Sequence, residues 1–390
     1  MKRERLLTRE LRLLIAGLFL LFVSTTLLVP VLPAVVATTG GASGAGLVTA
    51  FFYFPAVATQ LRMPDAMRRH EVRRMLIGAF ALLGLPCFAY AADEHSIAVL
   101  LVATAVRGVG FGCATVATGT LVAQLAPPRR RGTVIGYAGL ASGVPPVFAP
   151  AGGVFLLDHA GARPAFLVAG VVAIVAAITC LWLRPRPAAG GVRGAGLLGA
   201  ISEPALAWPF AWFLLVSLTR GAALSFASLW FLRGGLSSAA SFLLAFGTCA
   251  YIARWLGGRI VDRAGPRVLV VPGALSSLTG LICFASGDGP GGLVIAAGVL
   301  FGAGYGLLQS SSQLDMLARA GSGGFAIATT AWNIAIDCGV GLGGALLGVT
   351  AAIAGYGTAF WLLPGAMSVA LVLVVIEPRR STVPAPSERR

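Results

Sequence analysis

Gly258-Arg259-Ile260-Val261-Asp262-Arg263-Ala264-Gly265-Pro266-Arg267 reads as a short charged connection between two apolar runs, 237–256 and 268–286. Each run has about the 20 residues that a helix needs to cross a hydrocarbon core. The glycines let two helix ends approach closely. Asp262 can face a helix N-terminus or an arginine and latch one side of a bundle shut. The alternative is an ordinary solvated charged loop. Either way, the stretch predicts a pair of membrane helices joined by a tight, charge-bearing turn.

The same pattern recurs along the chain. Apolar stretches of membrane length fall near 11–33, 44–61, 74–92, 96–118, 133–156, 164–183, 208–231, 237–256, 268–286, 291–314, 324–351 and 357–376. The composition agrees: 57% of the 390 residues are hydrophobic and 11% charged, more apolar surface than one soluble core can hide. Lys and Arg number 29 against 14 Asp and Glu, yet they sit in short clusters between the apolar runs. Such clusters report topology and exclude a polyanion site, so no nucleic-acid partner is expected.

Arg62, Arg68, Arg69, Arg73 and Arg74, then Arg129 to Arg131, Arg184, Arg186 and Arg193, Arg259, Arg263 and Arg267, and Arg379 and Arg380 all fall on one side of this map. The opposite loops hold only Arg163 and Arg233. The bias predicts an even number of spans with both termini in the cytoplasm. The basic start before Leu13 resembles a signal peptide, but the apolar run to Pro33 is long and is read as the first span. Arginine in vast excess over the single Lys2, with abundant Ala and Gly, suggests a GC-rich bacterial genome and hence a bacterial inner membrane.

Between the sixth and seventh spans, a Pro-, Gly- and Arg-rich segment interrupts the apolar pattern. The expected organisation is a six-helix bundle over 1–184, a connector over 185–207 and a second six-helix bundle over 208–390 with a short cytoplasmic tail. The halves echo each other. Arg107-Gly-Val-Gly-Phe-Gly112 aligns with Phe301-Gly-Ala-Gly-Tyr-Gly306, and the loop carrying Asp65 aligns with the loop carrying Asp262. Duplicated bundles are a common way to build a central site between two halves.

Gly258 to Arg267 resembles the G-x-x-x-D-R-x-G-x-R signature of the major facilitator superfamily, and the resemblance extends over the whole chain through length, repeat and connector. The first-half copy keeps Asp65 and following basic residues but lacks both glycines and has Ala66 in place of the basic residue. Arg107 with Gly110 and Gly112 resembles the R-x-x-x-G motif of proton-coupled members, with the two glycines on either side of the motif's own glycine position. The run from Gly139 through Pro145, Pro146 and Pro150 to Gly153 resembles the glycine and proline motif of antiporters and exporters, with Ala149 before Pro150 and one residue fewer before the glycine pair. Among members, the chain is most similar to bacterial drug and metabolite exporters, including the arabinose-efflux-permease-like group.

The resemblance implies an all-α membrane protein of twelve transmembrane helices in two pseudo-symmetric bundles. It also implies that the first, fourth, seventh and tenth spans line a central cavity. The polar residues of those spans fit this arrangement: Ser24, Thr25 and Thr26; Arg107; Ser217 with Arg220; and Gln309 to Gln313. The third, sixth, ninth and twelfth spans are apolar in their middles, as lipid-facing helices should be.

Within the eleventh span, Thr329, Asn333 and Asp337 recur every fourth residue and share one stripe. A carboxylate this deep is a functional candidate by default, and a structural ion pair with Arg220 or Arg107 is the alternative. Arg220 suits an anionic or carboxylate-bearing solute. Tyr305, Gln309 and Gln313 share one face of the tenth span and suit a neutral or zwitterionic one. Arg107 normally needs a partner, a cavity or the substrate, and backbone carbonyls are its alternative anchor. Trp332 is a cavity wall or a lipid contact, and Asp315 lies where an interface charge is cheap.

The expected function is secondary active transport of a small organic solute by alternating access. Proton-coupled efflux leads, with Asp337 and Arg107 coupling the proton. Arg220, Asn333, Gln309, Gln313, Tyr305 and Ser217 are expected to bind solute. Asp262, Arg263, Gly258, Gly265, Arg267, Asp65 and Pro150 are expected to gate. Proton-coupled uptake or facilitated diffusion is the alternative, and a transport-inactive sensor a third. No nucleotide-binding loop or metal-spaced cluster appears, so neither enzyme activity, cofactor nor metal is expected. The partners expected are solute, protons and lipid, for a monomer.

Overall fold

A computed structural model describes residues 8–127, 131–184, 204–231, 236–287, 291–320 and 325–376. Among these the regular elements are all helices: α1 (Arg9–Leu27), α2 (Val31–Arg69), α3 (Val72–Ala92), α4 (Ile97–Leu125), α5 (Arg131–Gly143), α6 (Pro145–Ala160), α7 (Ala162–Cys180), α8 (Pro204–Trp230), α9 (Leu236–Ala264), α10 (Val270–Ala285), α11 (Gly291–Ala320) and α12 (Phe325–Ile376). Ten continuous helical stretches are apolar and long enough to cross a membrane.

Two of those stretches cross twice. The 52 residues of α12 would extend about 78 Å as one straight helix, against a hydrocarbon core of about 30 Å. Gly355, at φ 80°, breaks α12, and Gly41, at φ 61°, breaks α2 in the same way. Only glycine adopts such angles without strain. At the first break Gly44 packs on Val36, eight residues back, which a straight helix forbids. The twelve crossings expected from the sequence are therefore present.

The first crossing is itself bent between α1 and α2. Thr25 and Thr26 donate to the carbonyls of Leu21 (2.9 Å) and Phe22 (2.6 Å), and Pro30 has no N–H to give. Both features disrupt the helical ladder there. The fifth crossing likewise pauses at Val144, between α5 and α6, where Pro145 and Pro146 follow.

Several helices outrun the apolar stretches that predict them. α9 continues to Ala264 and α2 to Arg69, so Gly258, Asp262 and Asp65 stand on helical turns, which corrects their expected placement in loops. The turn after α9 reduces to Gly265, at φ 83°, and the 3-10 helix Pro266–Leu269. Apolar length marks where lipid ends, whereas a helix can run on into the interface because its backbone is already satisfied.

The internal repeat extends to the packing of the paired glycine runs. Gly108 and Gly112 of α4 seat against the carbonyls of Phe52 and Ala56 in α2, and Gly110 against Ala79 in α3. In the second half Gly302 and Gly306 of α11 seat against Phe246 and Ala250 in α9, and Gly304 against Gly273 in α10. Every residue in the second set lies 194 positions after its counterpart in the first. Small residues at each crossing let the backbones touch.

The two halves meet along two seams, α2 with the first part of α12 and α6 with α9. Tyr53 packs on Gly341 at the first seam, and Gly247 packs on Val147 at the second; these are repeat-equivalent positions with the large and small partners exchanged. Toward the side opposite the helix ends Arg9, Arg69 and Ile376, the first seam is closed by Gly46 against Gly344 and Gly348, and by a 3.2 Å hydrogen bond between the Thr49 and Ser225 hydroxyls. Ala45 and Val154 of the first half are buried there within the core of the second. Toward the terminal face these seams reach Gln60 with Asp337 and Gly143 with Tyr251.

The apolar middles expected to face lipid do so: Leu85, Val171, Leu275 and Val372 are all exposed. Most of the expected connector, 185–203, lies outside the described residues, and α8 begins at Pro204. Lys2, Arg3, Arg5, Arg129, Arg130, Arg186, Arg193, Arg233, Arg379 and Arg380 also lie outside them.

Candidate functional site

Three arginines stand inside the bundle, and their surroundings differ. Arg107, on α4, is 1% exposed. Its Nε donates to the Leu83 carbonyl (2.9 Å), and Nη2 donates to the Ser24 carbonyl (3.1 Å) and hydroxyl (3.4 Å). The Phe52 and Tyr90 rings cover its guanidinium at 5.8 Å each. Ser24 in turn donates to Ala169 (2.8 Å), so the group ties α1, α3, α4 and α7 together. Its partners are backbone oxygens and hydroxyls of its own half.

Arg220, on α8, is half-buried, and the structure records no hydrogen bond or ion pair for it among the described residues. Its guanidinium lies 5.3 Å from the centre of the Tyr305 ring. The buried Tyr305 and Ser217 hydroxyls beside it interact with each other, and neither has another hydrogen-bond partner. Such a pair uses one hydroxyl hydrogen and leaves the other for a ligand or water.

Arg254, on α9, escaped the sequence reading. Its Nη2 donates one long bond to Gln313 Oε1 (3.4 Å), and its guanidinium lies 5.5 Å from the Trp332 ring centre. Gly306 lets α11 press on the α9 backbone beside it, and the Ser310 hydroxyl donates to the Arg254 carbonyl (2.8 Å). A signal was available: a lone arginine inside the eighth apolar run.

Asp337 is 8% exposed. Its Oδ2 accepts from Gln60 Nε2 at 2.8 Å, across the seam between the halves. Arg220 and Tyr53 lie within electrostatic reach, but no ion pair shorter than 4.0 Å joins Asp337 to Arg220 or Arg107. Gln60 was not singled out from sequence, because an amide at the end of an apolar run carries no distinctive spacing.

The structure brings Asp337, Arg220, Tyr305 and Ser217 together and sets Arg107 apart, within the first half. Asn333, one turn from Asp337, is exposed and bonds back to the Thr329 carbonyl (3.0 Å). Gln309 and Gln313 are half-buried on the Tyr305 face of α11. Trp332 is neither lipid-facing nor a free wall. It is 6% exposed, stacks on Phe213 at 5.9 Å and donates to Ser312 (3.0 Å). Asp315 pairs with Arg319 at 2.7 Å.

Of the expected gating residues, Asp65 and Arg267 are exposed near the terminal face, and Gly258 is surrounded by open space. Pro150 is buried in α6. The side chains of Asp262 and Arg263 lie outside the described residues. In the first half, Ile15, Phe19, Tyr137, Leu140 and Val144 line a recess of about 520 Å³ with Arg12 toward its terminal-face end.

Solved structures share this architecture. The nucleoside transporter NupG superposes with a TM-score of 0.75 at 13% identity, covering 95% of this chain and 98% of that one. A bacterial homologue of the human lysosomal transporter Spinster, inward-facing and unoccupied, gives 0.74 at 16%, covering 94% of each. At these identities the likeness concerns the fold. Among curated proteins, "Probable anion transporter 7" of Oryza sativa subsp. japonica is 29% identical over 145 residues, 36% of this chain and 31% of that protein. An uncharacterized MFS-type transporter of Mycobacterium tuberculosis (strain ATCC 25618 / H37Rv) is 26% identical over 206 residues, 51% of this chain and 29% of that protein. The matched segments thus span under a third of those relatives' own length. The family model described as Major Facilitator Superfamily matches residues 14–336, and with twelve crossings, a glycine packing repeated between the halves and a polar centre between two seams, this chain belongs to that superfamily of multi-pass membrane proteins.

Proposed function

We propose that the chain moves a small organic solute by alternating access and couples that movement to a proton carried on Asp337. The observation that supports this reading best is the Gln60–Asp337 hydrogen bond. It sets an ionisable group of one half against a neutral amide of the other, where the closed part of the seam gives way toward the terminal face. A charge-assisted bond is roughly twice as strong as a neutral one. Protonating Asp337 therefore alters how firmly the halves hold each other near their pivot, and a proton becomes a signal for rocking.

Exposed Arg62, Arg69, Arg74, Arg184, Arg259 and Arg267 lie toward the terminal face, with Arg163 on the opposite one. The positive-inside rule assigns the terminal face to the cytoplasm of a bacterial inner membrane. The close contacts of the first seam on the other side favour reading this arrangement as inward-facing. Rocking to the outward form separates Gly46 from Gly344 and brings together the helix ends that carry Asp65, Gly258, Asp262, Arg263, Gly265 and Arg267, with Pro150 bending beside the second seam. Arg220, Tyr305, Ser217, Gln309, Gln313 and Asn333 face the solute, and Arg107 holds its half rigid while that half moves.

Efflux by exchange requires solute and proton to exclude each other at the site, whereas uptake requires them to bind together. The test of coupling is vesicle transport of a solute selected by thermal-shift screening of a metabolite library. An imposed proton gradient should drive accumulation in the wild type, and Asp337→Asn should leave only downhill flux. Flux indifferent to the gradient in the wild type would make the chain a facilitator.

A further inference from the structure

We propose that the solute is a small organic anion, that Arg220 and Arg254 hold its charged group with help from the Tyr305 and Ser217 hydroxyls, and that it travels with the proton. The inference rests on the proton-coupled reading and extends it to substrate class and to the sense of coupling.

The contrast among the three interior arginines carries the argument. Arg107 spends its donors on Leu83 and Ser24 oxygens. Arg220 has a ring contact, and Arg254 has a ring contact and one 3.4 Å bond to a neutral amide. A cation removed from bulk water is tolerated when paired or richly hydrogen-bonded, and neither of these is. Both lie within electrostatic reach of Tyr305, one from α8 and one from α9, so their charges converge on that one side chain. The Tyr305 and Ser217 hydroxyls, which interact with each other and have no other partner, leave one further donor there. Two guanidinium groups and a hydroxyl donor fit a carboxylate or phosphate group. A cationic solute would meet two like charges, and a neutral one would leave them uncompensated.

The proton's role follows from the charges facing Asp337. These are Arg220 from α8, Tyr53 from α2 and Tyr305 from α11, with Cys338 beside it on α12 and the neutral Gln60 accepting no charge. With Asp337 ionised, the site holds two cations and one anion, and the carboxylate competes with the solute for Arg220. With Asp337 protonated, the competitor is gone. Each event therefore favours the other, by reciprocal linkage. Removing one unit charge at such separations changes affinity on the order of tenfold or more. Mutual assistance between proton and solute is the condition for symport. Exchange would need a cation that displaces the proton from Asp337.

Ligand-induced stabilisation of the purified full-length protein tests this, with mono- and dicarboxylates, sugar phosphates, neutral sugars, nucleosides and organic amines as probes. Anionic probes should raise the melting temperature, and more so in acid than in alkali. Arg220→Gln and Arg254→Gln should each weaken binding of the effective anion about tenfold, with ligand-free melting confirming that they fold and Arg220→Lys recovering part of the affinity. Asp337→Asn should bind in alkali as tightly as the wild type does in acid. Stabilisation by carboxylates but not sugar phosphates, or the reverse, identifies the anionic group. The proposal is overturned if no anion stabilises the protein, if anion binding weakens in acid, or if a neutral or amine probe binds in a way Arg220→Gln leaves intact. In that last case, gradient-driven transport that still requires Asp337 would preserve the coupling reading while removing this one.

Discussion

Arg107 donates to Leu83 and Ser24, whereas Arg220 donates to nothing among the described residues. The two are alike in sequence, each a lone arginine beside small and hydroxyl residues in an apolar run, and substitution should separate them. Arg107→Gln leaves buried carbonyls on α1 and α3 without their charged donor, a loss of about 3 kcal/mol, and should lower the melting temperature of the detergent-solubilised protein clearly. Arg220→Gln should leave melting nearly unchanged. The reverse order of stabilities would show that their roles have been exchanged. Asp337 was legible as a functional candidate because hydrocarbon makes any carboxylate conspicuous. Its partner Gln60 and the under-bonded Arg254 were not, since contacts across 277 and 59 residues leave no local pattern.

At the scale of elements, glycine does two unlike jobs. Gly306 brings α11 onto the α9 backbone at Ala250 and Arg254, where an added Cβ would collide with main chain. Gly258, in the conspicuous signature, lies on a helical turn with open space around it. Gly306→Val should therefore abolish recovery of folded protein, while Gly258→Ala should fold normally and even gain up to about 1 kcal/mol of helix propensity. Size-exclusion profiles of the two variants check the contrast, and a well-folded Gly306→Val would contradict the packing described. Helix number and the twofold repeat were readable from apolar periodicity and the paired glycine runs. Helix ends were not, because hydropathy registers lipid contact and is silent about turns that continue into the interface.

Across the whole molecule, the repeat relates scaffold but not charge. At the 194-residue offset the positions of Arg220, Arg254 and Asp337 fall on Thr26, Gln60 and Gly143. The candidate ionisable residues Arg220, Arg254 and Asp337 thus belong to the second half, opposite neutral residues at the equivalent positions of the first. That closure is open to a direct test through Thr49 and Ser225, whose hydroxyls are 3.2 Å apart. Replacing both with cysteine, in a background whose six native cysteines are removed, should yield a disulfide that stops transport and is relieved by reductant. Continued flux with the bond intact would mean that this part of the seam does not open.

The closed part of the first seam joins Gly46 to Gly344 and Gly348, residues with no side chain to withdraw from a partner. At these three positions, parting wets mostly helical backbone whose amides are already satisfied, and little hydrocarbon. Since the heat capacity of a transition scales with the apolar area it hydrates, the opening step has a small heat-capacity change. Its free energy should then vary almost linearly with temperature, with a slope set by the entropy of the step alone.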